Sequence, residues 1–121
     1  MNKKILIAEA SAHNRNVLKE ILSQNSYEVV GEATSIEEAL DKIKVLSPDI
    51  LILDMLLPGI NGVDCIKSFK SVQSEIDIIL LSILGQQEMV LEGIVAGAKD
   101  FLIKPFQTDD VNLVLKKICI K

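Results

Sequence analysis

Four polar residues stand directly after short apolar runs. Glu9 follows Ile5-Leu6-Ile7-Ala8, Asp54 follows Ile50-Leu51-Ile52-Leu53, Ser82 follows Ile78-Ile79-Leu80-Leu81, and Lys104-Pro105 follows Phe101-Leu102-Ile103. If each run is a strand, two acids, a hydroxyl and an amine arrive at one edge of a sheet. A carboxylate can attack phosphorus to form an acyl phosphate. The phosphoryl oxygens then need a hard cation, which carboxylates can hold. Lysine pairs with a phosphoryl group as a point charge, and a hydroxyl can hydrogen-bond a phosphate oxygen and so report its presence. Any one of these residues alone reads as a solvated strand end. All four in step with Pro58, Gly59, Gly62 and Pro105 read as a site.

The elements that must position them are legible in the same pattern. With Glu28-Val29-Val30 there are five runs, and their inner members do not alternate apolar with polar. Continuous β-branched and leucine runs of this length suit strands buried on both faces. Between them lie stripes of helical period: Val17, Leu18, Ile21 and Leu22; Ile36, Ala39, Leu40 and Ile43; Val63 with Ile66; Val90 with Ile94; and Val111, Val114, Leu115 and Ile118. Ser35 followed three residues later by Glu38 predicts a capping box at the second helix, and Pro48 closes the helical stretch before the third strand. A strand–helix alternation repeated five times predicts an α/β fold, a parallel sheet with helices on both faces. In such a sheet ligands gather at the carboxyl ends of the strands.

The bulk properties agree. A length of 121 residues predicts one domain, 1–121, and 49% apolar content is enough for a core without staples. The formal net charge of −4 comes with no basic stripe, so no nucleic-acid partner is expected. Apolar runs of about five residues are far short of a membrane span, and the N-terminus lacks the longer apolar region of a signal peptide. A cytoplasmic protein is expected. Cys65 and Cys119 match no metal spacing and are expected to be small, reduced residues. A flavin carrier on this fold would want a glycine-bearing phosphate loop after the first strand. Here that loop is Glu9-Ala10-Ser11-Ala12, and the chain has no Trp.

Two stretches make a family resemblance specific. Asp54-Met55-Leu56-Leu57-Pro58-Gly59-Ile60-Asn61-Gly62 resembles the acceptor loop of response-regulator receiver domains. Gly97-Ala98-Lys99-Asp100-Phe101-Leu102-Ile103-Lys104-Pro105-Phe106 resembles their last strand. Ser82 with Gly85-Gln86-Gln87 is similar to the fourth strand and helix start of stand-alone, chemotaxis-type receivers, and Glu32-Ala33-Thr34 and Ala39 also fit. The resemblance spans essentially the whole chain. It implies a doubly wound, flavodoxin-like fold with five parallel strands in the order 2-1-3-4-5 and five helices. That order is the family's, not a deduction from these residues.

The resemblance also implies roles. Asp54 is similar to the phosphorylated aspartate and Lys104 to the phosphate-contacting lysine, with a cis peptide to Pro105. Ser82 resembles the switch hydroxyl, and Phe101 the aromatic rotor that turns inward with it. Glu9, Asp54 and the carbonyl of Leu56 would hold Mg²⁺. The implied function is that of a single-domain response regulator in a two-component phosphorelay, a signalling phosphoacceptor rather than an enzyme. It would accept a phosphoryl group on Asp54 from a histidine kinase or other phosphodonor. It would then act as a monomer, through the face of the fourth helix, fifth strand and fifth helix, on a downstream protein, with chemotaxis as the pathway the resemblance suggests. Gln87, Met89, Phe101 and Gln107 are candidate contacts on that face.

The sequence departs from the family at two places. The usual pair of acids after the first strand is here Glu9-Ala10, and Ala10 cannot ligate, which predicts Mg²⁺ affinity lowered by at least roughly tenfold. Ile83, stiff and bulky, stands where the family keeps a small residue, and with Leu56 and Leu84 it flanks the approach to Asp54. Slow gain and slow loss of phosphate are expected. These departures carry an alternative, a receiver-shaped interaction module independent of phosphate and Mg²⁺. The retained Asp54, Ser82 and Lys104 argue against it. His13 and Asn14, near the start of the first helix, are expected to be exposed helix residues rather than ligands or proton carriers. Arg15 is expected to make a surface interaction rather than bind phosphate.

Overall fold

The structure is a computed structural model describing residues 3–59 and 63–119, with only the backbone of residues 63 and 119. Ile60, Asn61 and Gly62 of the acceptor-loop motif, and the side chains of Val63 and Cys119, lie outside the described residues. Strands β1 (Lys4–Ala8), β2 (Glu28–Ala33), β3 (Ile50–Asp54), β4 (Asp77–Ser82) and β5 (Asp100–Ile103) alternate with helices α1 (Ala12–Ser23), α2 (Ile36–Leu46), α3 (Val63–Val72), α4 (Gln87–Ala96) and α5 (Thr108–Cys119). All pairings are parallel and the sheet order is β2-β1-β3-β4-β5.

The continuous apolar runs of β1, β3 and β4 are explained by two cores sharing one sheet; β5, an edge strand, departs from the expectation, burying Leu102 while Phe101 and Ile103 are exposed. Leu6, Leu51, Leu53, Ile78 and Leu80 face one way and pack with Ile36, Ala39 and Ile43 of α2, Ile66 and Phe69 of α3, and Val90 of α4. The intervening residues Ile5, Ile7, Ile50, Ile52, Ile79 and Leu81 face the other way, onto Leu18, Ile21 and Leu22 of α1 and Val111, Val114, Leu115 and Ile118 of α5. Successive strand side chains point to opposite faces, so a strand covered on both sides must be apolar at every inner position. Cys65 is buried in the α2–α4 core.

β2 extends three residues past the apolar run that marks it. Gly31 and Glu32 break that run, yet pair with Leu6 and Ile7 across a register shift that leaves Val30 as the extra residue. At α2 the cap differs slightly from the predicted box. Ser35 Oγ accepts from the Glu38 amide at 3.1 Å, but the Glu38 carboxylate accepts from the Thr34 amide at 2.6 Å, one residue before the cap. The helix ends at Ser47 in a left-handed conformation, one residue before Pro48.

Candidate functional site: two acids and a lysine at the strand ends

Register brings the site together. Ala8 pairs with Leu53, so the next residues on these two strands, Glu9 and Asp54, stand side by side at the carboxyl edge. Asp54 in turn pairs with Leu81, and Ser82 with Ile103, so Lys104 emerges one step beyond. The Lys104 amide donates to the Ser82 carbonyl at 2.7 Å, and the Lys104–Pro105 peptide is cis.

Glu9 and Asp54 are both buried. Lys104 Nζ lies 2.9 Å from Glu9 Oε1 and 2.9 Å from Asp54 Oδ1, one ammonium bridging two carboxylates. The Leu56 amide also donates to Asp54 Oδ1, at 3.0 Å. Oδ2 takes neither of these bonds. Glu9 has further donors from the start of α1: Asn14 Nδ2 reaches Oε1 at 3.0 Å, and the Ser11 amide reaches Oε2 at 3.1 Å.

The two acids share this pocket unequally. Burial would raise the Glu9 pKa, but its hydrogen bonds with Asp54, Lys104, the Ser11 amide and Asn14 outweigh that and hold it at about 2. Asp54 is pushed up from its ordinary value, first by burial and then by Glu9, against the pull of the Leu56 amide and Lys104. Burial would lower Lys104, but Glu9 and Asp54 together raise it. Two carboxylates against one ammonium leave an excess of negative charge in a buried cluster built of oxygen donors, which is the chemistry a hard divalent cation satisfies. Among the described residues no group of three or more His, Cys, Asp or Glu side chains converges. A cation here would therefore rely on two carboxylates, a backbone carbonyl and water.

Ser82 is buried, and its side chain is on the opposite face of the sheet from that of Asp54. It lines an apolar cavity of about 220 Å³ with Ile83, Leu84, Gln87, Val90, Leu91, Phe101 and Ile103. This follows from alternation: Ser82 shares its face of β4 with Leu80, on the α4 side, whereas Asp54 shares its face of β3 with Ile52, on the α1–α5 side. Phe101 is 40% exposed and forms part of the wall of this cavity. Ile83, Leu84 and Leu56 are exposed, and the Ile83 amide is tied to Gln86 Oε1 at 2.8 Å.

His13 is exposed, as expected. The expectation for Asn14 fails, because its side chain reaches inward to Glu9 rather than out to solvent. Arg15 also does more than make a surface contact. Its Nη1 donates to the carbonyls of Glu9 and Ala10 at 2.9 and 3.0 Å, while Nε pairs with Glu32 at 2.8 Å. The signal that could have found this turn is Ser11, a residue type suited to the cap position of α1, whose hydroxyl accepts from the Asn14 amide at 3.3 Å.

A doubly wound domain with acids and a lysine gathered at one sheet edge is the frame of a phosphoryl-handling module, and comparison with known proteins makes the class specific. The response regulator receiver domain family matches residues 5–116, and the chain belongs to that family. It is 46% identical over 118 residues to the chemotaxis protein CheY of Thermotoga maritima, covering 98% of each chain. It is 41% identical to the chemotaxis protein CheY of Bacillus subtilis, covering 97% of this chain and 98% of that one. Among solved structures, the receiver domain of NtrX from Brucella abortus superposes with a TM-score of 0.84 at 28% identity, covering 93% of this chain and 95% of that one. Among the described residues no helix is long and apolar enough to cross a membrane.

Proposed function

We propose that this receiver is a phosphorylation-controlled switch in which Asp54 accepts a phosphoryl group from a histidine kinase. The observation that supports this best is the single ammonium of Lys104 within 2.9 Å of both Asp54 and Glu9. An oxygen of the Asp54 carboxylate attacks phosphorus, and the bond from phosphorus to the donor nitrogen breaks with its electron pair leaving on that nitrogen. Lys104 stays beside the acceptor and neutralises the charge gathered there. Mg²⁺ would be held by Glu9, Asp54 and the Leu56 carbonyl, where its chemistry is to neutralise phosphoryl oxygens. Ala10 adds no ligand, so that site is weak.

In this reading Ser82 and Phe101 form the switch. Ser82 turns toward the phosphoryl group, and Phe101 moves from its half-exposed position into the adjoining cavity. The move changes the surface of α4, β5 and α5, where Gln87, Met89, Phe101 and Gln107 meet a downstream protein that prefers one of the two conformers. The protein would work as a monomer in the cytoplasm, as a signalling phosphoacceptor, and the names of its relatives favour a chemotaxis pathway.

The test is an amide NMR titration with Mg²⁺ followed by beryllofluoride, which mimics a phosphoryl group on an aspartate, with Asp54→Asn as control. Shifts at Ser82, Phe101 and Lys104 in the wild type and none in the variant are expected. An unchanged wild-type spectrum at millimolar-scale Mg²⁺ refutes the switch and leaves a constitutive docking module.

A further inference from the structure

We propose that Asn14 is a positioning residue, holding the Glu9 carboxylate turned toward Asp54 so that one glutamate beside Ala10 presents a fixed oxygen to the cation. This rests on the reading of the site given above.

The problem Asn14 answers is visible in the cluster. Glu9 carries a long side chain whose freedom must be removed for it to act as a ligand. Ala10, its neighbour, is exposed, so solvent lies close by. Asp54 repels Glu9, and only Lys104 supplies opposite charge in the trio. Among the described residues, Lys104 Nζ and Asn14 Nδ2 donate to Oε1 and the Ser11 amide to Oε2, and together they hold the glutamate inward. Lys104 is shared with Asp54 and the Ser11 donor is backbone. Among the described residues, Asn14 is therefore the one side chain whose hydrogen bond is given to Glu9 alone.

The turn that aims Asn14 is itself fixed. Ser11 Oγ caps the Asn14 amide, and Arg15 clasps the carbonyls of Glu9 and Ala10 while anchored to Glu32. The residue type also fits. An amide donates without a positive charge, so it orients the carboxylate without opposing a divalent cation as a lysine or arginine would. The adjacent arginine directs its charge to backbone carbonyls and Glu32 instead. Partners that orient a ligand in this way are commonly needed for metal affinity.

The experiment has two arms. In the cation-free protein, the side-chain amide resonances of Asn14 are followed on introducing Glu9→Ala, and the Glu9 carboxyl ¹³C resonance on introducing Asn14→Ala. Both are expected to move while signals far from the turn stay in place. By calorimetry, Asn14→Ala should weaken Mg²⁺ binding about tenfold, and adding it to Glu9→Gln should cost less than about twofold more, because the two residues act through one contact. Unmoved resonances, wild-type affinity in Asn14→Ala, or an equal loss in the Glu9→Gln background each overturn the inference alone. A wild-type chain that takes up no Mg²⁺ overturns the cation reading of the site, and this inference with it.

Discussion

Ionising Asp54 costs the folded chain free energy, because burial and Glu9 raise its proton affinity above the ordinary value of 3.8. A group whose pKa is raised by folding stabilises the native state below its unfolded pKa, and that contribution is lost as pH rises through the folded value. At neutral pH the wild type therefore bears the loss, and Asp54→Asn does not. Asp54→Asn should unfold at higher urea than wild type at pH 7, with the gap closing as pH falls toward 3.8; a lower midpoint at pH 7 refutes the assignment. Glu9 runs the opposite way, its contribution present above 4.5 and fading as pH drops toward about 2. The missing acid gives a second prediction at this scale. Ala10→Asp should strengthen Mg²⁺ binding by about tenfold or more, and calorimetry showing no gain would mean that position 10 is not beside the cation. Glu9, Asp54, Ser82 and Lys104 were legible in the sequence because each ends an apolar run and parallel register aligns such ends. Asn14 and Arg15 were not, since a polar residue in the first turn of a helix looks the same whether it faces water or a carboxylate.

The elements differ in how plainly they were written. β1, β3 and β4 are continuous apolar runs because both faces are covered. In β2 the apolar pair Val29-Val30 is interrupted by Gly31 and Glu32, so its extent depends on pairing with β1 across the shift at Val30, a tertiary feature with no local signal. α4 announces itself weakly for a related reason. Leu91 and Val95 are apolar yet exposed, so apolar residues lie on both its inner and outer faces and blur the period of Val90 and Ile94. Its seating depends on a missing side chain: a Cβ on Gly93 would lie 2.6 Å from Leu80 Cδ1 and 3.1 Å from Ile66 Cδ1. Both neighbours are fully buried, so Gly93→Ala should push α4 off the sheet at a cost of about 1–3 kcal/mol. Chemical denaturation measures the cost, and amide shifts concentrated in α4 and the Ser82 cavity would localise it. A neutral substitution would mean that α4 is seated more loosely than the structure has it.

At the scale of the molecule, the two cores cannot part, because the same three central strands line both. Unfolding should be one cooperative step, with a calorimetric enthalpy near 85 kcal/mol around 60 °C (about 0.7 kcal/mol per residue) equal to the van't Hoff value. Two resolved calorimetric peaks would show that the cores melt independently. The fold class could be read from the sequence because this shared burial forces the apolar runs. The strand order came from the family's likeness rather than from any residue. The side chain of Lys42, reaching from α2 to the backbone carbonyl of Glu32 on the outermost strand, has a meaning beyond holding that helix. An unpaired strand rim is a template on which another chain can crystallise as an added strand. With a lysine occupying one of its acceptors, a kink at Val30 and acidic side chains at Glu28 and Glu32, this rim is a poor template. The β2 edge of the sheet thereby carries its own protection against fibrous growth in a crowded solution.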